Sequence, residues 1–274
     1  MATFNFDGDE HRISIKIPAI KALNIDAKLW IAYENCENSK WRKDCIETCS
    51  SDCIEHYATL VHRDILSSSY DDNGDLINIK GGIITNPNML IIQRSPLLKI
   101  NKNTNRVEGE WRKNENRDEF ICVRRYLIMF VDENKSFLHE DPIQLTAKGC
   151  FQVEFDKKYL EFRKDFATAY SSANKKSFSN MSDIWYAMCI FIPNFESEVV
   201  GPSRDKKSKA CITKSFQTLT KTNYKDYCMA MNPENAKIIQ EKHKSTEKWW
   251  NKSITKSKQI ELELEDEENN SIIF

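Results

Sequence analysis

The stretch Phe120–Val131 (FICVRRYLIMFV) carries most of the information about the fold. Its β-branched and aromatic side chains suit a pleated, half-buried strand better than a helix. Arg124 and Arg125 interrupt the apolar run, and strand alternation sends Arg124 and Tyr126 to one face and Arg125 to the other. Asp132, Glu133, Asn134 and Lys135 follow as a polar turn, so Ser136 to Ala147 is expected to return as the partner strand of a hairpin.

Working outward, Ile83-Ile84 and Met89 to Ile92 read as strands upstream, closed by Pro96. Downstream, Gln152 to Tyr170 places Phe155, Tyr159, Phe162, Phe166 and Ala169 near helical spacing, which predicts a helix. Ile184 to Ile192 (IWYAMCIFI) reads as a buried strand stopped by Pro193, and Glu196–Gly201 and Ala210–Leu219 bracket a basic loop. Three strands, a helix and two strands fit a five-stranded oligonucleotide/oligosaccharide-binding (OB) barrel, an order that other α+β domains also produce. The expected fold class is therefore α+β: an OB-like five-stranded β-barrel core with an inserted helix over residues 81–232. Residues 1–80 read as an α-rich or irregular extension, with Ala19 to Tyr33 partly helical. Residues 233–259 read as a basic helix or linker, and 260–274 as a disordered acidic tail ending in Phe.

The chain has 274 residues, of which 40% are hydrophobic and 30% charged, enough for a core with a wet surface. Forty basic residues against 41 acidic ones exclude a uniformly basic protein, and 7 Gly with 7 Pro exclude collagen-like and glycine-rich classes. No run approaches the ~18 apolar residues of a membrane span, and Met1 to Glu10 lacks the apolar stretch of a secretory signal. A cytoplasmic protein with mostly free thiols among its nine cysteines is the expectation. Cys45, Cys49 and Cys53 stand at four-residue steps on an expected helix, Asp44 to His62, with Cys36, His56 and His62 nearby. Three such thiols span ~12 Å at 1.5 Å per residue, too far to share one ion. Two of them with a His could bind zinc, but a thiol-lined helix packed on the core is the expected arrangement, and no metal or cofactor is expected.

The charge pattern is sharpest at the C-terminus. Lys242, Lys244, Lys248, Lys252, Lys256 and Lys258 surround the pair Trp249-Trp250, against the single acid Glu247. The sign then reverses through Glu261, Glu263, Glu265, Asp266, Glu267 and Glu268, and the chain ends Asn269-Asn270-Ser271-Ile272-Ile273-Phe274. An acidic run ending in exposed apolar residues reads as a docking peptide, with Phe274 for an apolar pocket and the acids to steer the encounter. The alternative is a tail packed on the protein body. In its last ten residues the chain resembles bacterial and phage single-stranded DNA-binding proteins, with Ile273 where Pro usually precedes Phe. That resemblance implies that Asp266, Glu267, Glu268, Ile272, Ile273 and Phe274 recruit replication or recombination proteins.

Single-strand binding needs cations that track phosphates and flat side chains that stack on bases. Four patches meet that need: Arg94, Lys99 and Arg106 with Lys102; Trp111 and Arg112 with Lys113 and Arg117; Arg124, Arg125 and Tyr126; and the loop Arg204, Lys206, Lys207 and Lys209. Each is also what the solvated surface of so charged a chain contains. From Arg125–Ile128 through Phe137–Thr146, with Gly149 after it and Arg94–Leu97 upstream, the chain looks like an uncharacterised family common in cyanobacterial genomes. This second resemblance spans about residues 80 to 200 and implies a bacterial or phage setting, with no particular chemistry.

Enzymatic constellations are thin. His139-Glu140-Asp141 lacks the second His that a zinc protease places four residues on, where Ile143 stands, and His139 is expected to be a strand-end His hydrogen-bonded to its surroundings. Glu133-Asn134-Lys135 matches half of a metal-dependent nuclease site, with Asp118 or Asp75 as partners. No P-loop, dinucleotide fingerprint or Gly-x-Ser-x-Gly turn is present. The expectation is a non-enzymatic protein that binds single-stranded DNA without sequence preference and recruits partners through its tail. A protein-interaction scaffold is the alternative and a metal-dependent nuclease the weaker one. Membrane contact is not expected, and oligomeric state is left open, a homo-oligomer included.

Overall fold

The computed structural model of the protein describes residues 17–24, 27–42, 58–62, 80–84, 87–175, 181–201 and 207–250. At its centre is strand β8 (Phe120–Phe130), 11 residues long. Its first half pairs with β6 (Leu98–Asn101) and its second half with β5 (Met89–Arg94). On the other side it pairs antiparallel with β9 (Ile143–Lys148), in register from Val123↔Lys148 to Ile128↔Ile143. The hairpin is thus formed, but its return strand starts at Ile143 rather than Ser136. Residues 136–142 form a loop that turns His139 inward and meets the strands through isolated bridges such as Val131↔Phe137 and through hydrogen bonds of Leu138 and His139 with Phe130.

The remaining strands extend this nucleus. β7 (Val107–Glu110) pairs with β6. β1 (Ala19–Leu23) lies parallel to β9 and antiparallel to β2 (Lys28–Ala32). β4 (Lys80–Ile84) then pairs with both β2 and β3 (Ala58–His62), and β10 (Ile190–Phe191) pairs with β5 at the opposite end. Among the described residues ten strands result, ordered β10-β5-β8-β9-β1-β2-β4-β3, with β6 beside β8 and β7 beside β6. This is a curled open sheet, a half-barrel, and the expectation of a closed five-stranded OB barrel is corrected accordingly. β11 (Pro193–Val200) and β12 (Ser208–Phe216) form the expected hairpin around the basic loop, but as a separate two-stranded sheet.

Both faces of the central sheet are covered, which explains why the second half of β8 is buried at every position. Tyr126, Ile128 and Phe130 face the long helix α2 (Gly149–Asn174) and pack on its Phe151, Phe155, Tyr159, Phe162 and Phe166. The periodicity of that helix was legible, and its five rings share one face because they recur every three to four residues. Leu127, Met129 and Val131 face the other way, toward α3 (Asp183–Ala187), α4 (Pro233–Ser245) and Trp249. Sheet strands buried on both sides read as continuous apolar runs, and FICVRRYLIMFV does so from Tyr126 onward.

Two local expectations are corrected. In the stretch Ala19–Tyr33, expected to be partly helical, Ala19–Leu23 and Lys28–Ala32 are strands, Ala27 has φ 52°, and helix α1 (Tyr33–Asn38) begins only at the last residue. Ile20, Leu29 and Ile31 are buried, and the edge of β9 supplies hydrogen bonds that override a modest helix propensity. Ile184–Ile192 begins in the short helix α3, which ends at Ala187, and only Ile190–Phe191 is strand. A short apolar run buried on all sides does not distinguish the two periods. The cysteine helix expected over 44–62 lies outside the described residues up to 57, and Ala58–His62 is strand. Among described cysteines, Cys36, Cys189, Cys211 and Cys228 are buried free thiols, Cys122 is half-buried and Cys150 exposed. No helix among the described residues is long and apolar enough to cross a membrane.

Candidate functional site

The outer end of β5 shapes the site. β10 pairs only with Met89 and Leu90, so the rest of β5 lacks an outer strand neighbour among the described residues. A cleft of about 240 Å³ opens there. Its floor is Ile91–Pro96, and its walls are Arg124 from β8, Tyr159 and Arg163 from α2, Asp183 from α3, and Trp250 beyond α4.

Arg124 is held in place. Its Nε donates to Asp156 Oδ2 at 2.8 Å and its Nη1 to the Ser95 carbonyl at 2.8 Å. Asp156 lies one turn beyond Gln152 on α2 and also accepts from Gln152 Nε2 at 2.5 Å and from the Tyr126 hydroxyl. The carboxylate therefore fixes β8 to α2 from within a largely buried site. Ser95 is itself buried and stitched to β8: its N–H donates to the Arg125 carbonyl at 2.9 Å, and its hydroxyl accepts from the Arg125 N–H at 3.0 Å.

Arg163 follows Tyr159 by four residues, so both project from one face of α2. Its Nη2 meets Asp183 Oδ1 at 2.7 Å, while its guanidinium carbon lies 4.0 Å from the Tyr186 ring centre. Burial drives the Tyr159 hydroxyl well above its ordinary pKa, although Arg163 and Arg94 pull the other way, so it stays protonated. Arg94, at the end of β5, has no carboxylate partner among the described residues. Gln93 Nε2 donates to the His243 carbonyl at 2.9 Å, tying the cleft floor to the last turn of α4. Trp249 is buried just after that turn, edge-on to Trp250 at 6.4 Å, and so carries Trp250 to the cleft wall.

Of the residues singled out in the sequence, Arg94 and Arg124 come together here. Tyr126 is fully buried, so it serves the cleft through Asp156 and offers no ring face for a base to stack on. Arg125 points to the opposite sheet face, as alternation required, and burial lowers its pKa. Lys99 lies 3.3 Å from Glu115 and over the Phe120 ring, so it ties the β6 region together. Arg106 and Arg112 are exposed and Trp111 is half-buried around the β6–β7 hairpin. Lys207 and Lys209 are exposed at the start of β12, away from the cleft lining, while Arg204 and Lys206 lie outside the described residues. So do Asp266, Glu267, Glu268, Ile272, Ile273 and Phe274.

Sequence reading missed Arg163, Asp183 and the position of Trp250. The available signal was the Tyr159–Arg163 pair on one helix face, in a stretch otherwise read as core. Among the described residues no three His, Cys, Asp or Glu side chains gather as a metal site. His139 is enclosed: its Nε2 accepts from the Phe130 N–H at 2.9 Å, and its Nδ1 lies 2.8 Å from the Asp141 carbonyl. Lys135, in the Glu133-Asn134-Lys135 turn, donates to the Lys225 carbonyl at 3.0 Å.

A family profile described as a domain of unknown function (DUF5895) matches residues 72–261. The uncharacterized protein 254L of Invertebrate iridescent virus 6 is 42% identical over 291 residues, spanning 99% of this chain and 86% of the viral one. No solved structure matches. These findings correct the expected cyanobacterial resemblance, since the likeness found is to this profile and a viral protein. They also give the tail's likeness to single-stranded DNA-binding proteins no support: the profile ends at residue 261, before Asp266.

Proposed function

The chain belongs to the DUF5895 family, whose description assigns no function, and we propose from the geometry of the cleft that it binds single-stranded DNA, with the cleft at the end of β5 as the centre of the binding surface. One observation supports this: guanidinium groups from β5, β8 and α2 converge beside an indole ring. Phosphate oxygens are well served by guanidinium forks. Bases stack on aromatic faces with little regard to sequence. Exposed Arg106 and Arg112 and half-buried Trp111 provide further cations and a second ring along the neighbouring hairpin. The protein acts as a binder, with no reaction of its own.

The test is fluorescence anisotropy with labelled oligo-dT and a matching duplex across a salt series. Single strands should bind more tightly, with log K falling linearly in log salt at about −0.7 per phosphate contact. Arg94→Ala should flatten that slope by about 0.7. Salt-independent binding, or none to either oligonucleotide, overturns the proposal.

A further inference from the structure

The cleft is small. At about 240 Å³ it falls below the roughly 300–1,000 Å³ of pockets that enclose drug-sized ligands. It has room for one phosphate and one ring, but a strand could not thread through it. Its donors are unusually concentrated for such a space. Arg124 uses one Nε and one Nη1 hydrogen on Asp156 and Ser95, and keeps the rest of its five N–H donors. Arg94 has its whole fork available among the described residues, and Arg163, stacked over the Tyr186 ring, has a single carboxylate partner there, Asp183, whose side chain is 76% exposed.

We propose that this cleft is a pocket for a nucleotide phosphomonoester, either a free nucleoside monophosphate or the phosphorylated end of a strand. The proposal deepens the strand-binding reading and names what part of the ligand the cleft takes. A diester in mid-strand offers two unbridged oxygens and one charge. A monoester offers three oxygens and a charge of about −1.5 to −2 near neutral pH. Three guanidinium groups on one small cavity match the monoester. Arg124, clamped by Asp156 and Ser95, is preorganised to receive it, because its geometry is already fixed before the ligand arrives.

Asp183 supports the assignment. Its carboxylate sits 2.7 Å from Arg163 at the mouth of the cleft, where it occupies a guanidinium fork that a phosphate would use. Arg163 is mostly covered, but Asp183 is open to solvent, which screens the pair from that side, so a phosphate with three convergent partners competes with the carboxylate for Arg163. Trp250 then selects the nucleoside part, offering a ring face where a bare phosphate needs none.

The experiment uses the full chain and three dT oligomers of equal length: 5′-phosphate, 3′-phosphate, and both ends hydroxyl. Free dTMP, thymidine, inorganic phosphate and a phosphoserine peptide serve as competitors. A phosphorylated end should bind about tenfold tighter than the hydroxyl oligomer, as expected for charge-assisted, forked hydrogen bonds. dTMP should compete and thymidine should not. Arg94→Ala and Arg163→Ala should erase the preference, with folding checked by thermal melting. Asp183→Asn should sharpen it by freeing Arg163, and this variant guards against a simple loss of fold. Trp250→Ala should weaken dTMP while leaving any weak affinity for inorganic phosphate unchanged. Arg124 is left intact because its ion pair joins β8 to α2.

Equal binding of the phosphorylated and hydroxyl oligomers, with no competition by dTMP, sinks the pocket but leaves strand binding standing. Binding of dTMP without binding of any oligomer supports the pocket for the free nucleotide and sinks the strand reading. Competition by phosphate or the phosphoserine peptide as strong as that by dTMP overturns the nucleoside assignment.

Discussion

His139 lies 4.8 Å from the Trp41 ring in a stacked arrangement, with 1% of its surface exposed. Burial lowers its pKa to about 4, against the smaller upward pull of the Asp141 carbonyl and carboxylate. Folding therefore favours the neutral ring, which accepts from the Phe130 N–H. An unfolded chain takes up a proton below about pH 6.5, the folded chain only near pH 4. The stability this ring contributes is complete above pH 6.5 and is lost as pH falls toward 4, by about 3 kcal/mol in all. Urea unfolding at pH 7, 5.5 and 4.5 should show a steeper decline in the natural protein than in His139→Gln, and parallel declines would refute this. In the sequence, His139 reads as a strand-end His hydrogen-bonded to its surroundings, which the Phe130 and Asp141 bonds bear out, but a single His carries no mark of its burial. Arg94 and Arg124 were legible as cations, but their meeting with Arg163 was not. That meeting depends on where α2 crosses the sheet, and on Asp156, which in the sequence reads as one more surface acid.

Elements were most legible where one periodicity ran long enough to dominate. β5, β8 and α2 followed from their apolar patterns, and the β11–β12 hairpin from the basic loop it encloses. β1, β2 and α3 were misread because their form is set by distant partners: the free edge of β9 in one case, a pocket apolar on all sides in the other. Two ends of helices were also silent in the apolar pattern. Gly149 opens α2 at φ 58°, a left-handed conformation that costs other residues about 1–2 kcal/mol. Open space surrounds the position a Cβ would take, so Gly149→Ala should lose about 1 kcal/mol through backbone strain alone. Asn232 caps α4, its side chain accepting from Glu234 N–H at 2.9 Å with Pro233 next in line. Asn232→Ala should also cost about 1 kcal/mol. Denaturant midpoints of the two variants measure both, and a neutral Gly149→Ala would show that the turn into α2 relaxes freely.

At the scale of the whole molecule, the sheet stays open because both its faces are covered. α2 and the β11–β12 hairpin shield one side, and α3, α4 and Trp249 the other. A closed barrel has no need of two such layers, and strand order along the sequence could not reveal them. The strands before residue 80 join the same sheet as those after it, through β1 on β9 and β4 on β2. Deleting residues 1–42 should therefore bare the edge of β9 and promote self-association. Size-exclusion chromatography with light scattering would detect this; a monomer of unchanged melting temperature would show that the N-terminal strands are dispensable. The parallel β1–β9 pair also carries a consequence for synthesis. A ribosome makes Ala19 long before Lys148, on the order of ten seconds earlier at ordinary elongation rates. Throughout that interval β1 lacks its β9 neighbour, and α2, which covers this face of the sheet, does not yet exist. The nascent chain must carry Ile20, Leu29 and Ile31 uncovered, a natural client for whatever chaperone waits at the exit tunnel.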